Sequence, residues 1–326
     1  MAQSDAEGAR VGARRPAVGP LDEKDLPEAG RILRLAFGTF LGARDPETFW
    51  RDRDYIQSRV RATHVASFGA KLDGELVGSN FATNWGSFGF FGPLTVRPDL
   101  QERGIARALL DSTMAQFDAW GMRHVGLFTF AHSAKHVALY QKYGFYARFL
   151  TAIMSVEVAP ERRAAGWSRF SMLTAAQREE ALRSCREVSD LLCPGLDLSG
   201  EITSTQAQGL GDTVLIDGER GIAAFAICQY GPGSEAGAGQ CFVKFGAVRQ
   251  GPSAERDYLS LLDASEALAA AVGMPRLLAG TNMARHEAYR HLVARGYRTD
   301  IQGVGMHRGN DPGYCRPGVY ALDDWR

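Results

Sequence analysis

Two short segments of the 326-residue sequence carry chemistry in their residue types and spacing. The first is Val96-Arg97-Pro98-Asp99-Leu100-Gln101-Glu102-Arg103-Gly104-Ile105-Ala106-Arg107, set between a strand pattern and a helical one. Gly104 lets the backbone take a positive φ or approach a ligand closely, and Ala106 keeps the first helical turn uncluttered. Free N–H groups at a helix start, with the positive end of its dipole, suit phosphate oxygens, and Arg103 and Arg107 can add charge. Taken alone, a glycine in such a loop is more often a plain turn. The second segment, Leu139-Tyr140-Gln141-Lys142-Tyr143-Gly144-Phe145, begins 35 residues after Gly104 (139 − 104). There a helix ends at glycine and a strand starts on an aromatic residue.

The flanking patterns supply the elements that must position these segments. Helical patterns cover about 26–41 and 46–61, and the strand patterns 65–72 and 75–85 flank the Asp73-Gly74 turn, a strong hairpin signal. A third strand, Phe88 to Arg97, leads into the loop, followed by a helix over 105–120, a strand over 125–130, a helix over 133–143 and a strand over 146–158. Strands and helices mixed in this order point to an α/β sheet with helices on both faces.

The plan then repeats. A helix over 175–192, a hairpin at Asp217-Gly218, a strand over 241–248, a helix over 254–272, a strand over 277–280, a helix through Arg295 and a strand over 297–307 follow. Val96 to Gly144 spans 48 residues (144 − 96), as does Val248 to Gly296 (296 − 248), which indicates an internal duplication. The expected organisation is a disordered tail over 1–20, a first domain over 21–158, a linker over 159–168 and a second domain over 169–326.

The Gln101-Glu102-Arg103-Gly104-Ile105-Ala106 run and the run from Leu139 to Phe145 together resemble the GNAT superfamily of N-acetyltransferases. Its first motif reads Gln/Arg-x-x-Gly-x-Gly/Ala, and its second ends in Leu-Tyr-x-x-x-Gly-Phe. The resemblance implies two tandem GNAT-like domains, each a mixed, largely antiparallel β-sheet flanked by helices. It implies acetyl-CoA as acyl donor, with the pantetheine arm beside Leu94, Thr95 and Val96, a backbone N–H near Val96 polarising the thioester carbonyl, and the pyrophosphate on Gln101 to Arg107. It makes Tyr140 the acid that protonates the departing thiolate, with direct attack by a primary amine of a small molecule or protein. An amine that is mostly protonated at neutral pH needs a base, and no carboxylate lies on the strand 88–97, where many members keep one. His132 is the candidate base, with helix capping as its other reading. Ser133 stands where the family often has an asparagine against the cofactor. Phe37, Trp50, Asp52, Asp54 and Trp85 come from segments that border the family's acceptor cleft, and acidic and aromatic groups there would suit a cation, with plain core packing as the other reading of the aromatic residues.

Counted without gaps, the second copy places Arg256 opposite Gly104, Tyr258 opposite Ala106 and Leu292 opposite Tyr140, so it is expected to have lost the cofactor site and to be non-catalytic. Lys244, Arg249 and Asn282 there are read as solvated or locally bonded. The other reading of the whole chain is an acyl-CoA-binding regulatory or interaction module with little turnover.

Bulk properties narrow the class further. Zero formal net charge gives no global attraction to nucleic acid or anionic lipid, and no stretch reaches the roughly 20 apolar residues that span a bilayer. The five cysteines, odd in number and without metal spacing, read as reduced thiols of a cytoplasmic protein that binds no metal.

Overall fold

The computed structural model describes residues 15–325. In the first half, β1 (Ala17–Pro20), α1 (Leu26–Phe40), α2 (Gln57–Val60), β2 (Val65–Leu72), β3 (Glu75–Trp85), β4 (Phe88–Phe91), β5 (Thr95–Val96), α3 (Ile105–Ala119), β6 (His124–Phe130), α4 (Ala134–Gln141) and β7 (Phe145–Glu157) follow in order. The second half holds β8 (Trp167–Arg169), α5 (Ala175–Leu192), α6 (Ser199–Ala207), β9 (Gly211–Gly218), β10 (Gly221–Gly231), β11 (Gly237–Val248), α7 (Ala254–Ala271), β12 (Arg276–Asn282), α8 (His286–Ala294), β13 (Arg298–Arg308) and β14 (Ala321–Leu322). Each half carries the expected mixed, largely antiparallel strands flanked by helices.

Four details differ from the sequence reading. Of the tail expected over 1–20, residues 1–14 lie outside the described residues, and Ala17–Pro20 pair with Phe68–Lys71 as an edge strand. The helix expected over 46–61 shrinks to α2, because the Asp54 carboxylate accepts from the N–H groups of Ile56, Gln57 and Ser58 and starts the helix there. The strand expected over 88–97 breaks into β4 and β5 around the Gly92–Pro93 bond, which is cis. The linker expected over 159–168 ends in β8, which pairs with β9.

The two halves share one sheet, in the order β1-β2-β3-β4-β6-β13-β7-β12-β11-β10-β9-β8. At its centre the units exchange strands. β13, from the second half, lies between β6 and β7, and β7, from the first, lies between β12 and β13. The cores follow the exchange. Val304 and Met306 of β13 pack with Phe91, Leu110 and Phe145 of the first unit, and Ala152 and Met154 of β7 pack with Tyr258, Leu277 and Leu292 of the second. A third cluster joins Trp85, Phe88 and Phe90 to Phe225, Phe245 and Trp325, so apolar burial fuses the units.

A buried histidine pair crosses this junction. His124 on β6 and His307 on β13 sit 3.2 Å apart, Nε2 to Nδ1, with Asp311 at 3.6 Å from His124. Burial, then the neighbouring His124 and Arg148, lower the His307 pKa to about 3. His307 is therefore neutral in the fold, whereas the unfolded chain takes up its proton below about pH 6.5. Stability must fall as pH drops from 6.5 toward 3. The expected result is a melting temperature lower by roughly 5 °C at pH 4 than at pH 7, with a shallower slope in His307→Gln. An identical slope in parent and variant would contradict a neutral, buried His307.

Candidate active site

The site begins where the sheet opens. β4 pairs in parallel with β6 only over Phe88–Phe90 and His124–Gly126, after which the two strands diverge. Pairing of β3 with β4 and with β5 is offset by one residue across the Gly92–Pro93 kink. The N–H of Arg97 donates to Val77, and the alternation of an antiparallel ladder then turns the Val96 N–H away from β3, to the side of the opening.

A cleft of about 950 Å³ fills that opening. At one end lies the start of α3. Gly104, at the N-cap, has φ 80° and ψ 2°, a left-handed conformation that glycine takes without strain. A Cβ there would meet nothing within 4 Å, so the space in front of the helix is clear. The helix's first intrahelical bond runs from Ala108 N–H to the Gly104 carbonyl, which leaves the N–H groups of Ile105, Ala106 and Arg107 free of helical partners. Among the described residues neither Arg103 nor Arg107 forms an ion pair. Lys135 of α4 reaches back to Gln101 and Glu102 at 3.3 and 3.2 Å, holding the loop against the next helix.

At the middle of the cleft stands Tyr140. Its ring packs edge-on against Phe91, centroids 5.6 Å apart, and the residue is 7% exposed. Burial raises its pKa above the usual phenol value, so it keeps its proton at neutral pH. Ser133, also on the wall, is the N-cap of α4 without a side-chain cap bond. His132 is exposed and stacks on Phe40, centroids 5.5 Å and planes 15° apart, so it lines the cleft rather than capping the helix. Burial, then the charges of Lys135 and His132, lower the pKa of the neighbouring His136.

Of the candidate cofactor residues, Leu94, Val96, Gln101, Glu102, Gly104, Ile105, Ala106, Arg107 and Ser133 line this one cleft. Thr95 does not, because successive strand residues face opposite sides and its hydroxyl bonds Ser79 at 3.1 Å. Arg103 is exposed and off the wall. Of the acceptor-side candidates, Phe37 and Trp50 line the cleft, but three do not. Asp52 accepts from Ala238 N–H, Asp54 caps α2, and the buried Trp85 donates to Glu201. Missed from the sequence were Phe40, Phe130, Ile153, Ile301 and Trp325. The last two come from the second half, and no local pattern signals a contact at such separation. Trp325 reaches the site because Gly126 leaves room, a Cβ there meeting its ring at 2.7 Å.

The equivalent opening of the second unit is filled. β11 and β12 pair in parallel over Gln240–Val243 and Arg276–Ala279, and where they diverge, β14 pairs with Gly246 and Ala247. The chain's own C-terminal segment takes the edge that β5 offers to the first cleft. α7 starts five residues after Val248, at N-cap Ser253, whereas α3 starts eight after Val96, at Gly104 (253 − 248; 104 − 96). Ser253 therefore stands opposite Gly104, and the gapless count that placed Arg256 there is corrected by this shorter loop. Leu292 does stand opposite Tyr140, seven residues past each N-cap (292 − 285; 140 − 133), and is fully buried. Arg285, opposite Ser133, is buried in an ion pair with Asp323 at 2.8 Å. Lys244, Arg249 and Asn282 are held by protein partners, Lys244 by Glu235, Arg249 by Glu187 and the Ile222 carbonyl, and Asn282 by Thr151 of β7.

The model of the acetyltransferase (GNAT) family matches residues 30–145. No curated protein matches the chain. Among solved structures, a putative acetyltransferase from Pyrococcus horikoshii is similar at TM-score 0.67 and 13% identity, over 96% of this chain and 95% of that one. A GCN5-related N-acetyltransferase from Sphaerobacter thermophilus is similar at TM-score 0.57 and 14% identity, over 94% and 97%. A tandem GNAT protein from the clavulanic acid biosynthesis pathway follows at TM-score 0.51 and 13% identity, over 90% and 98%. At these identities the likeness is one of fold.

Proposed function

We propose that the chain is a GNAT acetyltransferase, as the family model's match to residues 30–145 supports, and that its first unit moves an acetyl group from acetyl-CoA to a primary amine by direct attack. One observation carries the reading: a single cleft joins the unobstructed N-terminus of α3 to the Tyr140 phenol, through the opening between β5 and β6. Ile105, Ala106 and Arg107 offer backbone N–H groups to the pyrophosphate, and the Arg107 guanidinium adds charge. Leu94 and Val96 flank the pantetheine arm, and the Val96 N–H faces the thioester oxygen as the donor that stabilises developing negative charge. The attacking nitrogen forms a bond to the acyl carbon as the C–S bond breaks. Tyr140 gives its proton to the departing sulfur, and the nitrogen loses one to His132 or to water.

A phenol with a raised pKa is a weak acid, but a thiolate leaving into the same apolar surroundings is made more basic by the same desolvation, so the two stay matched. Chemistry in the first unit alone leaves the second as support, supplying β13, Ile301 and Trp325.

Calorimetric titration with acetyl-CoA tests this reading. The expected stoichiometry is one per chain, since β14 occupies the second opening, and Leu292→Tyr should add neither a second site nor activity. Two equal sites would contradict the assignment. Binding without turnover on any amine would favour an acyl-CoA-binding regulatory module, the reading that the missing strand carboxylate supports.

A further inference from the structure

We infer that the acceptor is an amine on an aromatic, apolar body that is uncharged at neutral pH, an arylamine in the simplest case; this rests on the acyl-transfer reading above. Trp50, Phe37, Phe130, Phe40, Ile153 and Trp325 together line the cleft that also holds Tyr140. The rings form one contiguous surface, with centroids 5.5 Å apart for Phe37 and Trp50, 6.4 Å for Phe37 and Phe130, and 5.0 Å for Phe40 and Phe130. Flat apolar walls of this kind take flat apolar bodies.

Charge points the same way. Among the described residues the one acidic side chain on the cleft is Glu102, at the pyrophosphate end and bridged to Lys135 at 3.2 Å. Carboxylates close in sequence to the aromatic wall lie off it: Asp54 accepts from the N–H groups that start α2, Asp52 holds Ala238, Glu47 pairs with Arg31, Asp323 pairs with Arg285, and Asp324 packs at Gly280. An alkylammonium entering this chamber would lose its hydration and meet no counter-ion. The rings do not replace one. The Trp50 ring already carries the Arg53 guanidinium 5.1 Å from its centroid, and any cation–π attraction favours the protonated, unreactive form of the amine. An arylamine has its lone pair delocalised into the ring and arrives neutral, so it needs neither a counter-ion nor a strong base. This accounts for a cleft whose candidate bases are histidines and not a carboxylate. Atoms balance without release to solvent: the nitrogen gives up one proton and gains the acetyl group, and the sulfur leaves with one proton.

The test measures kcat/KM of the full chain with acetyl-CoA and three acceptors, 4-ethylaniline, 2-phenylethylamine and spermidine, following free thiol, alongside acetyl-CoA calorimetry and a parallel run with decanoyl-CoA. The expected order at pH 7 is 4-ethylaniline first, exceeding spermidine by roughly 100-fold, with a flat profile from pH 6.5 to 8.5, while 2-phenylethylamine rises with pH as its neutral fraction grows. Phe40→Glu, at a position already 37% exposed, adds a carboxylate to the wall and should shift preference toward 2-phenylethylamine by about 10-fold. Acetyl-CoA binding with spermidine preferred, or with no amine acetylated, overturns the inference and leaves cofactor binding standing. Faster transfer from decanoyl-CoA than from acetyl-CoA to a polar amine overturns it by assigning the chamber to the acyl chain. No acetyl-CoA binding at all overturns the proposed function itself.

Discussion

Gly104→Glu is expected to weaken acetyl-CoA binding at least ~100-fold, about 2.8 kcal/mol, while the protein stays folded. The fold can accept the side chain, because a Cβ at this position meets nothing within 4 Å. A non-glycine residue at φ 80° costs on the order of 1 to 3 kcal/mol, and part of that is returned by placing a carboxylate at a helix N-terminus. That same carboxylate is the reason binding fails. It would occupy the free N–H groups of Ile105 to Arg107 and put a negative charge at the site proposed for the pyrophosphate. Gly104→Ala, with the strain but not the charge, should lose much less. Calorimetry together with a melting curve checks this. A Gly104→Glu protein that binds acetyl-CoA as tightly as the parent would place the pyrophosphate somewhere else.

Tyr140→Phe should lower kcat by roughly 10- to 1000-fold with cofactor affinity unchanged, the range for one positioned acid. The substitution keeps the ring against Phe91 and removes only the hydroxyl, so packing is preserved. The loss stays partial because a thiol of Cys-like pKa, near ~8.5, can leave as the thiolate at some rate unaided. Since burial raises the phenol's pKa, the parent should show no alkaline fall in rate from loss of this proton below about pH 10. Full activity of Tyr140→Phe at every pH would mean that water protonates the sulfur and that the tyrosine only packs α4 against β4.

Much of the first unit was legible because its signals are local. The Asp73-Gly74 turn, the helix that follows Gly104, and the glycines that end α4 and α8, Gly144 at φ 78° and Gly296 at φ 86°, each depend on backbone rules acting over a few residues. The duplication was legible for the same reason, since equal spacing of like elements survives substitution of nearly every side chain. The expectation that the second unit lacks the site was argued in part from a misplaced residue. Arg256 does not replace Gly104; a shorter loop brings Ser253 there, and a count without gaps cannot register a deletion.

The amino-acid sequence by itself determined the class of fold, the repeat, the helix start at Gly104 and the helix that carries Tyr140. These are matters of local conformation and of which residue types recur at which interval. Three things were decided only by the tertiary structure. The units exchange β7 and β13 at the centre of one sheet, β14 fills the second opening, and among the described residues the aromatic wall of the cleft carries no carboxylate, Asp52 and Asp54 bonding backbone elsewhere. Each depends on pairing between segments far apart in the chain. Alternating strand patterns say which face is apolar but not which strand lies alongside, and a carboxylate's role is set by the nearest unsatisfied N–H, which packing alone brings to it.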